Sequence, residues 1–165
     1  MPINSSIKQF GAIAIATLVF ATASWAAQLA TKKALTLEIS KEIAAAAESH
    51  ATKNNWNVVI ALVDDGGHLL YLQRMDGAQT GSVEIAIKKA QTATSFKRPS
   101  KVFGAGVEGG RTALVALPGA LPFEGGVPIA ADGQILGAIG VSGVTGAQDG
   151  MIAQAGVDAL AEILR

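Results

Sequence analysis

The stretch from Glu124 to Gly156, EGGVPIAADGQILGAIGVSGVTGAQDGMIAQAG, constrains this chain more than any other. It sets two glycine-punctuated apolar runs on either side of an Asp132-Gly133 turn and follows them with a helix start. Glycine loses more conformational freedom on folding than any other residue. Such density in a folded segment therefore marks backbone that must pass close to other backbone or to a ligand. Apolar runs joined by a tight D-G turn pair antiparallel. A related turn, Asp64-Asp65-Gly66-Gly67, joins the apolar run Val58 to Val63 to a return strand from His68 to Met75. The unbroken apolar character of Val58 to Val63 predicts a strand covered on both faces.

Helical periodicity surrounds these hairpins. Thr36 is placed to cap a helix in which Ile39, Ile43, Ala46, Ala47 and His50 recur at helical spacing, and Asn54-Asn55 ends it. Ser82 is placed to cap a second helix, whose Ala86, Ala90 and Ala93 form a small-residue stripe suited to close packing; Pro99 stops it. Gln148 or Asp149 is expected to open the last helix, with Asp149 as its cap. Between Ser100 and Gly119 the pattern allows a short helical turn and a short strand around Leu114 to Leu117. The order helix, hairpin, helix, further strands, helix predicts an α+β domain: an antiparallel sheet of about five strands with helices packed on it.

Composition narrows the function classes. Among 165 residues, 13 basic and 13 acidic side chains cancel, so the chain lacks the basic surplus a nucleic-acid binder needs. There is no cysteine, which excludes disulfides, thiolate metal sites, cysteine nucleophiles and C-x-x-C-H haem attachment. No Ser-His-Asp arrangement, carboxylate pair, phosphate loop or clustered zinc spacing stands out, and Gly104-Ala105-Gly106 lacks the strand, helix and acidic partner of a dinucleotide fingerprint.

The first 26 residues read as an export signal: Lys8 in the n-region, the apolar run Phe10 to Ala23, then Ser24-Trp25-Ala26 with small residues at the −3 and −1 positions. Cleavage is expected after Ala26, with Ala23 as the second choice and an uncleaved anchor as the alternative. Residues 27–165 are then one domain, periplasmic or secreted, with no membrane segment after signal removal.

Three blocks carry a resemblance: VDDGGHLLYLQRMDGA (Val63 to Ala78), SVEIAIKKAQTA (Ser82 to Ala93), and GGVPIAADGQILGAIGVSG (Gly125 to Gly143) followed by QDGMIAQAG (Gln148 to Gly156). Together they resemble the GlcG/HbpS-like haem-binding family, to which the C-terminal domain of PduO proteins is related. The resemblance implies a profilin-like α+β domain that forms homo-oligomers and takes a tetrapyrrole, with haem as the expected cofactor. Two positions depart from the family pattern: Val144 stands where a small residue is common, and Gly150 where a glutamate is common.

The candidate site follows from side-chain chemistry. With two histidines and no cysteine, His50 and His68 are the candidate haem-iron ligands; Met75, Met151 and Tyr71 are further possibilities. Arg74 is a candidate bidentate clamp for a propionate or another small acidic ligand, or the partner of Asp76 in a salt bridge. Lys89 is a second anion ligand or a proton-transfer group, and Thr92 a weak hydroxyl ligand. Glu124, Gly125 and Gly126 form a bend that could cradle an anion or admit a flat ring. Phe96, Phe103 and Phe123 are read as core. Haem or iron handling or sensing is the leading expectation. The alternatives are an enzyme acting on a small carboxylate or aromatic metabolite, with Arg74 binding and His68 or Lys89 moving a proton, and a non-catalytic assembly subunit.

Overall fold

Two β-hairpins lie side by side to make the sheet. In the computed structural model, which describes residues 27–165, β1 (Val59–Asp64) and β2 (Leu69–Arg74) form the first hairpin, and β3 (Gly126–Ala131) and β4 (Gln134–Ser142) the second. The strand order is β2-β1-β4-β3, antiparallel throughout. The segment read as an export signal lies outside the described residues. Residues 27–31 carry no regular secondary structure, and the folded unit runs from Lys32 to Arg165. Among the described residues no helix is long and apolar enough to cross a membrane.

The sheet buries both faces, as the apolar run of β1 requires. On one face Val58, Ile60, Leu62, Ile139 and Val141 meet α1 (Leu37–Lys53) and α4 (Gly146–Asp158) through Ile43, Ala44, Ala47, Ile152 and Ala153. On the other, Val59, Ala61, Val63 and Ala138 meet the Ala86, Ala90 and Ala93 stripe of α2 (Ser82–Phe96). That second interface is very close. A methyl group on Gly140 would overlap the Ala86 carbonyl, and one on Gly126 the Lys89 carbonyl. The glycines of the second hairpin are therefore required first by sheet-to-helix packing.

Local chemistry sets the helix ends. Thr36 Oγ1 accepts the Ile39 amide at 3.2 Å and caps α1. Lys97 closes α2 in the left-handed region, with φ of 51°, ahead of Pro99. Three expectations are corrected. Ser82 is the first residue of α2 rather than its cap; its hydroxyl accepts instead from Ser142 Oγ at 3.3 Å. α4 begins at Gly146, because Thr145 and Gln148 form a reciprocal capping box one turn earlier than expected. Leu114 to Leu117 is not a strand, so the sheet has four strands and not five. This segment finds no sheet edge to pair with and closes its own i to i+3 hydrogen bonds as a 3₁₀ turn over Thr112–Ala116. The turn follows α3 (Lys101–Glu108); a last helix, α5 (Leu160–Ile163), ends the chain.

Candidate functional site

The candidate residues do not converge on one place, and Arg74 and Lys89 lie on opposite flanks of α2. Leu72 on β2 packs with Val83 and Ile87 on one flank of α2, and Arg74, two residues along the strand, shares its face of the sheet. Lys89 leaves the other flank toward β4. Arg74 is exposed and forms no salt bridge with Asp76, the ion pairs among the described residues lying elsewhere. The two cations expected to share one ligand do not converge.

Lys89 is buried and already occupied. Its Nζ donates to Asp149 Oδ2 at 2.7 Å and to the Val141 carbonyl at 3.0 Å. Asp149 Oδ1 also accepts the Val144 amide at 3.2 Å. Asp149 is therefore not the cap of α4 but the counter-ion that ties α4 and the end of β4 to α2. Burial pushes its carboxyl above the usual range, opposed by the Lys89 ammonium and by the Val144 and Gly143 amides. Sequence reading missed this pair because its members stand 60 residues apart, with no local pattern linking them. Thr92 is structural in the same sense: its hydroxyl donates to the Lys88 carbonyl at 2.7 Å and accepts the Leu121 amide at 2.8 Å, pinning the loop before β3 to α2.

The Glu124 bend borders open space. Ser100 clasps it from both sides: its Oγ donates to the Phe123 carbonyl at 2.6 Å and accepts the Gly126 amide at 2.9 Å. Gly125 takes a φ of 127°, which only glycine adopts readily, and a Cβ there would stand 2.5 Å from the Val141 carbonyl. Two clefts, of about 240 and 650 Å³, meet at this bend and share Glu124, Lys101 and Ala147. A third, of about 250 Å³, opens on the other side of Phe123 over Lys89, Asp149 and Ser142. Phe123 is 60% exposed and not part of the core, whereas Phe103 is buried and packs on Phe96 at a centroid distance of 5.0 Å.

The histidines occupy opposite circumstances. The His68 side chain is 82% exposed beyond the first hairpin turn, with Nδ1 at 3.3 Å from the Asp64 carboxylate. A carboxylate on one ring nitrogen fixes the tautomer and leaves Nε2 outward, an arrangement that also orients metal-ligating histidines. Gly66 makes room for the ring, since a Cβ there would lie 2.9 Å from His68 Nδ1. His50, near the end of α1, is half-buried with its ring 6.3 Å from that of Trp56. Its Nε2 is the buried side-chain polar atom that has no hydrogen-bond partner among the described residues. Trp56, Tyr71 and Met75 pack against the same core that α1 covers. Among the described residues no three histidine or carboxylate groups gather as an ion-binding cluster.

A four-stranded antiparallel sheet between α2 on one face and α1 with α4 on the other, edged by small clefts, defines a two-hairpin α+β domain. The chain belongs to the HbpS-like family, described as Haem degrading protein HbpS-like, which matches residues 35–158. It is 47% identical over 112 residues to protein GlcG of Escherichia coli K12, covering 68% of this chain and 84% of that protein. Its fold is similar to the crystal structure of HbpS, with a TM-score of 0.75 at 36% identity, covering 82% of this chain and 98% of that one. It is also similar to the crystal structure of a PduOC–haem complex, with a TM-score of 0.70 at 30% identity over 77% of this chain and 95% of that one.

Proposed function

We propose that this chain is an exported haem-binding protein that serves haem or iron handling or sensing, with His50 as its iron ligand. The observation that carries the ligand assignment is the orphaned Nε2 of His50. A buried nitrogen left without a partner costs about 1–3 kcal/mol, and a bound ion or ligand is one way to offset that cost. Trp56 beside it offers an aromatic face. Tyr71 and Met75 pack on the same α1-covered core, whereas Arg74 shares the opposite face of β2 with Leu72, against α2, and lies outside this site. An imidazole nitrogen flanked by an aromatic face suits the chemistry of a flat, iron-bearing guest. Haem itself would supply the iron-centred chemistry; the protein would supply the ligand nitrogen and the apolar wall. The haem named for the PduOC complex supports the same class of ligand.

Hemin titration of the protein lacking residues 1–26 tests the reading. A saturable Soret shift is expected, lost or displaced in His50→Ala and retained in His68→Ala. No saturable shift would remove the haem proposal, and a shift that survives replacement of both histidines would remove the ligand assignment. Export rests on the n-region, apolar run and Ser24-Trp25-Ala26 site. N-terminal sequencing of protein recovered from the periplasm should begin at Ala27. Assembly into a homo-oligomer is part of the same proposal, checked by light scattering with and without hemin.

A further inference from the structure

The clefts at the Glu124 bend share two opposite charges that do not neutralise each other. Lys101 opens α3 immediately after Ser100, and Glu124 lies between the two backbone groups that Ser100 Oγ holds, the Phe123 carbonyl and the Gly126 amide. One clasp therefore holds the backbone beside both residues. Both line both clefts, yet neither appears in any ion pair within 4.0 Å among the described residues. The Glu124 carboxylate lies instead over Gly150 in α4, where a Cβ would stand 2.6 Å from Oε1. Gly150 weakens α4 as a helix former, and the space it leaves is the space the carboxylate occupies. Met151, Val127, Pro99 and, in the larger cleft, Val102 and Phe123 supply the apolar lining; Gln154 lines the smaller cleft, and Glu108, away from the junction, adds a second carboxylate to the larger. Of these, Met151, Val102 and Phe123 are exposed large side chains at 53%, 46% and 60%.

An apolar groove with an anion and a cation at its junction complements a small zwitterion with an apolar body. A free cationic ligand would meet Lys101, and a free anionic one Glu124; a molecule carrying both charges satisfies both residues. We propose that this groove binds an apolar α-amino acid, its ammonium on Glu124, its carboxylate on Lys101 and its side chain against Met151, Val102 and Phe123. The site is independent of the haem reading, since neither histidine nor Arg74 lines it.

L-phenylalanine and L-leucine are the probes, titrated by calorimetry or saturation-transfer NMR against the protein lacking residues 1–26. Saturable binding is expected for at least one. Phenethylamine and 3-phenylpropionate, each missing one charge, should bind about tenfold or more weakly than phenylalanine. Glu124→Gln and Lys101→Met should each weaken binding of the better probe by about tenfold or more. Gly150→Ala should weaken it too, by pushing the carboxylate aside, without lowering the thermal midpoint, so that loss of binding cannot be mistaken for loss of fold. Hemin titration should be unchanged in all three variants. Failure of both amino acids to bind, equal binding of the singly charged analogues, or binding indifferent to Glu124→Gln and Lys101→Met would each overturn the proposal.

Discussion

Lys89 Nζ stands 2.7 Å from Asp149 Oδ2, with the two side chains 4% and 3% exposed. This contact joins the middle of α2 to the first turn of α4 across the end of β4, and it explains why a lysine sits on a helix face otherwise packed with alanine. An ammonium and a carboxylate taken out of water stabilise only while both are present. Lys89→Met or Asp149→Asn alone should lower unfolding stability by about 3–5 kcal/mol. The double replacement Lys89→Met with Asp149→Leu should recover more than half of that loss, read from urea midpoints. Equal losses for the single and double variants would refute the pairing argument.

The close seat of α2 on the sheet makes a second prediction. A Cβ on Gly126 or Gly140 would overlap a backbone carbonyl of α2, which cannot swing away as a side chain can. Gly126→Ala and Gly140→Ala should each cost about 3 kcal/mol. Gly150→Ala, where the nearest atoms belong to the flexible Glu124 side chain, should be neutral or stabilising by up to about 1 kcal/mol. Thermal unfolding of the three variants separates these cases.

His50 sets function against stability. Replacing it by Leu removes a buried nitrogen that has no partner. The apoprotein should gain about 1 kcal/mol while hemin affinity falls. A destabilised His50→Leu apoprotein would mean that the nitrogen is satisfied in solution and would undercut its assignment as a ligand.

Asp64 carries the acid-side pH dependence. Its slight burial raises its carboxyl pKa, but the His68 and Gly66 amides and the His68 imidazole outweigh this and hold it below the ordinary aspartate value. A folded-state value below the unfolded one contributes stability that is present above the unfolded pKa and is lost as pH falls through the folded one. Urea midpoints measured downward from about pH 5 should therefore fall more steeply below about pH 4 in the native protein than in Asp64→Asn. Asp149, with its raised carboxyl, acts in the opposite sense: its contribution declines as pH rises from 3.8 toward its folded value. Asp149→Asn should remove that opposing slope.

Periodicity and turn chemistry determined much of this protein from sequence alone. The hairpin turns at Asp64 to Gly67 and Asp132-Gly133, the Thr36 cap, the α2 alanine stripe and the twofold burial of β1 are local properties of consecutive residues, and each is where its pattern placed it. Where the outcome depended on what lay across the fold, sequence was silent. Leu114 to Leu117 has strand-forming residues, but no sheet edge reached it. Asp149 sits where a cap would sit, but Thr145 had taken that role and Lys89 drew the carboxylate inward. Arg74 and Lys89 read as one cationic pair until α2 came between them. Hydrogen bonds within a turn or helix are set by neighbours in the chain. Burial, ion pairing and the shape of a groove are set by which distant segments the core brings together, and only the folded sheet with its helices decides that.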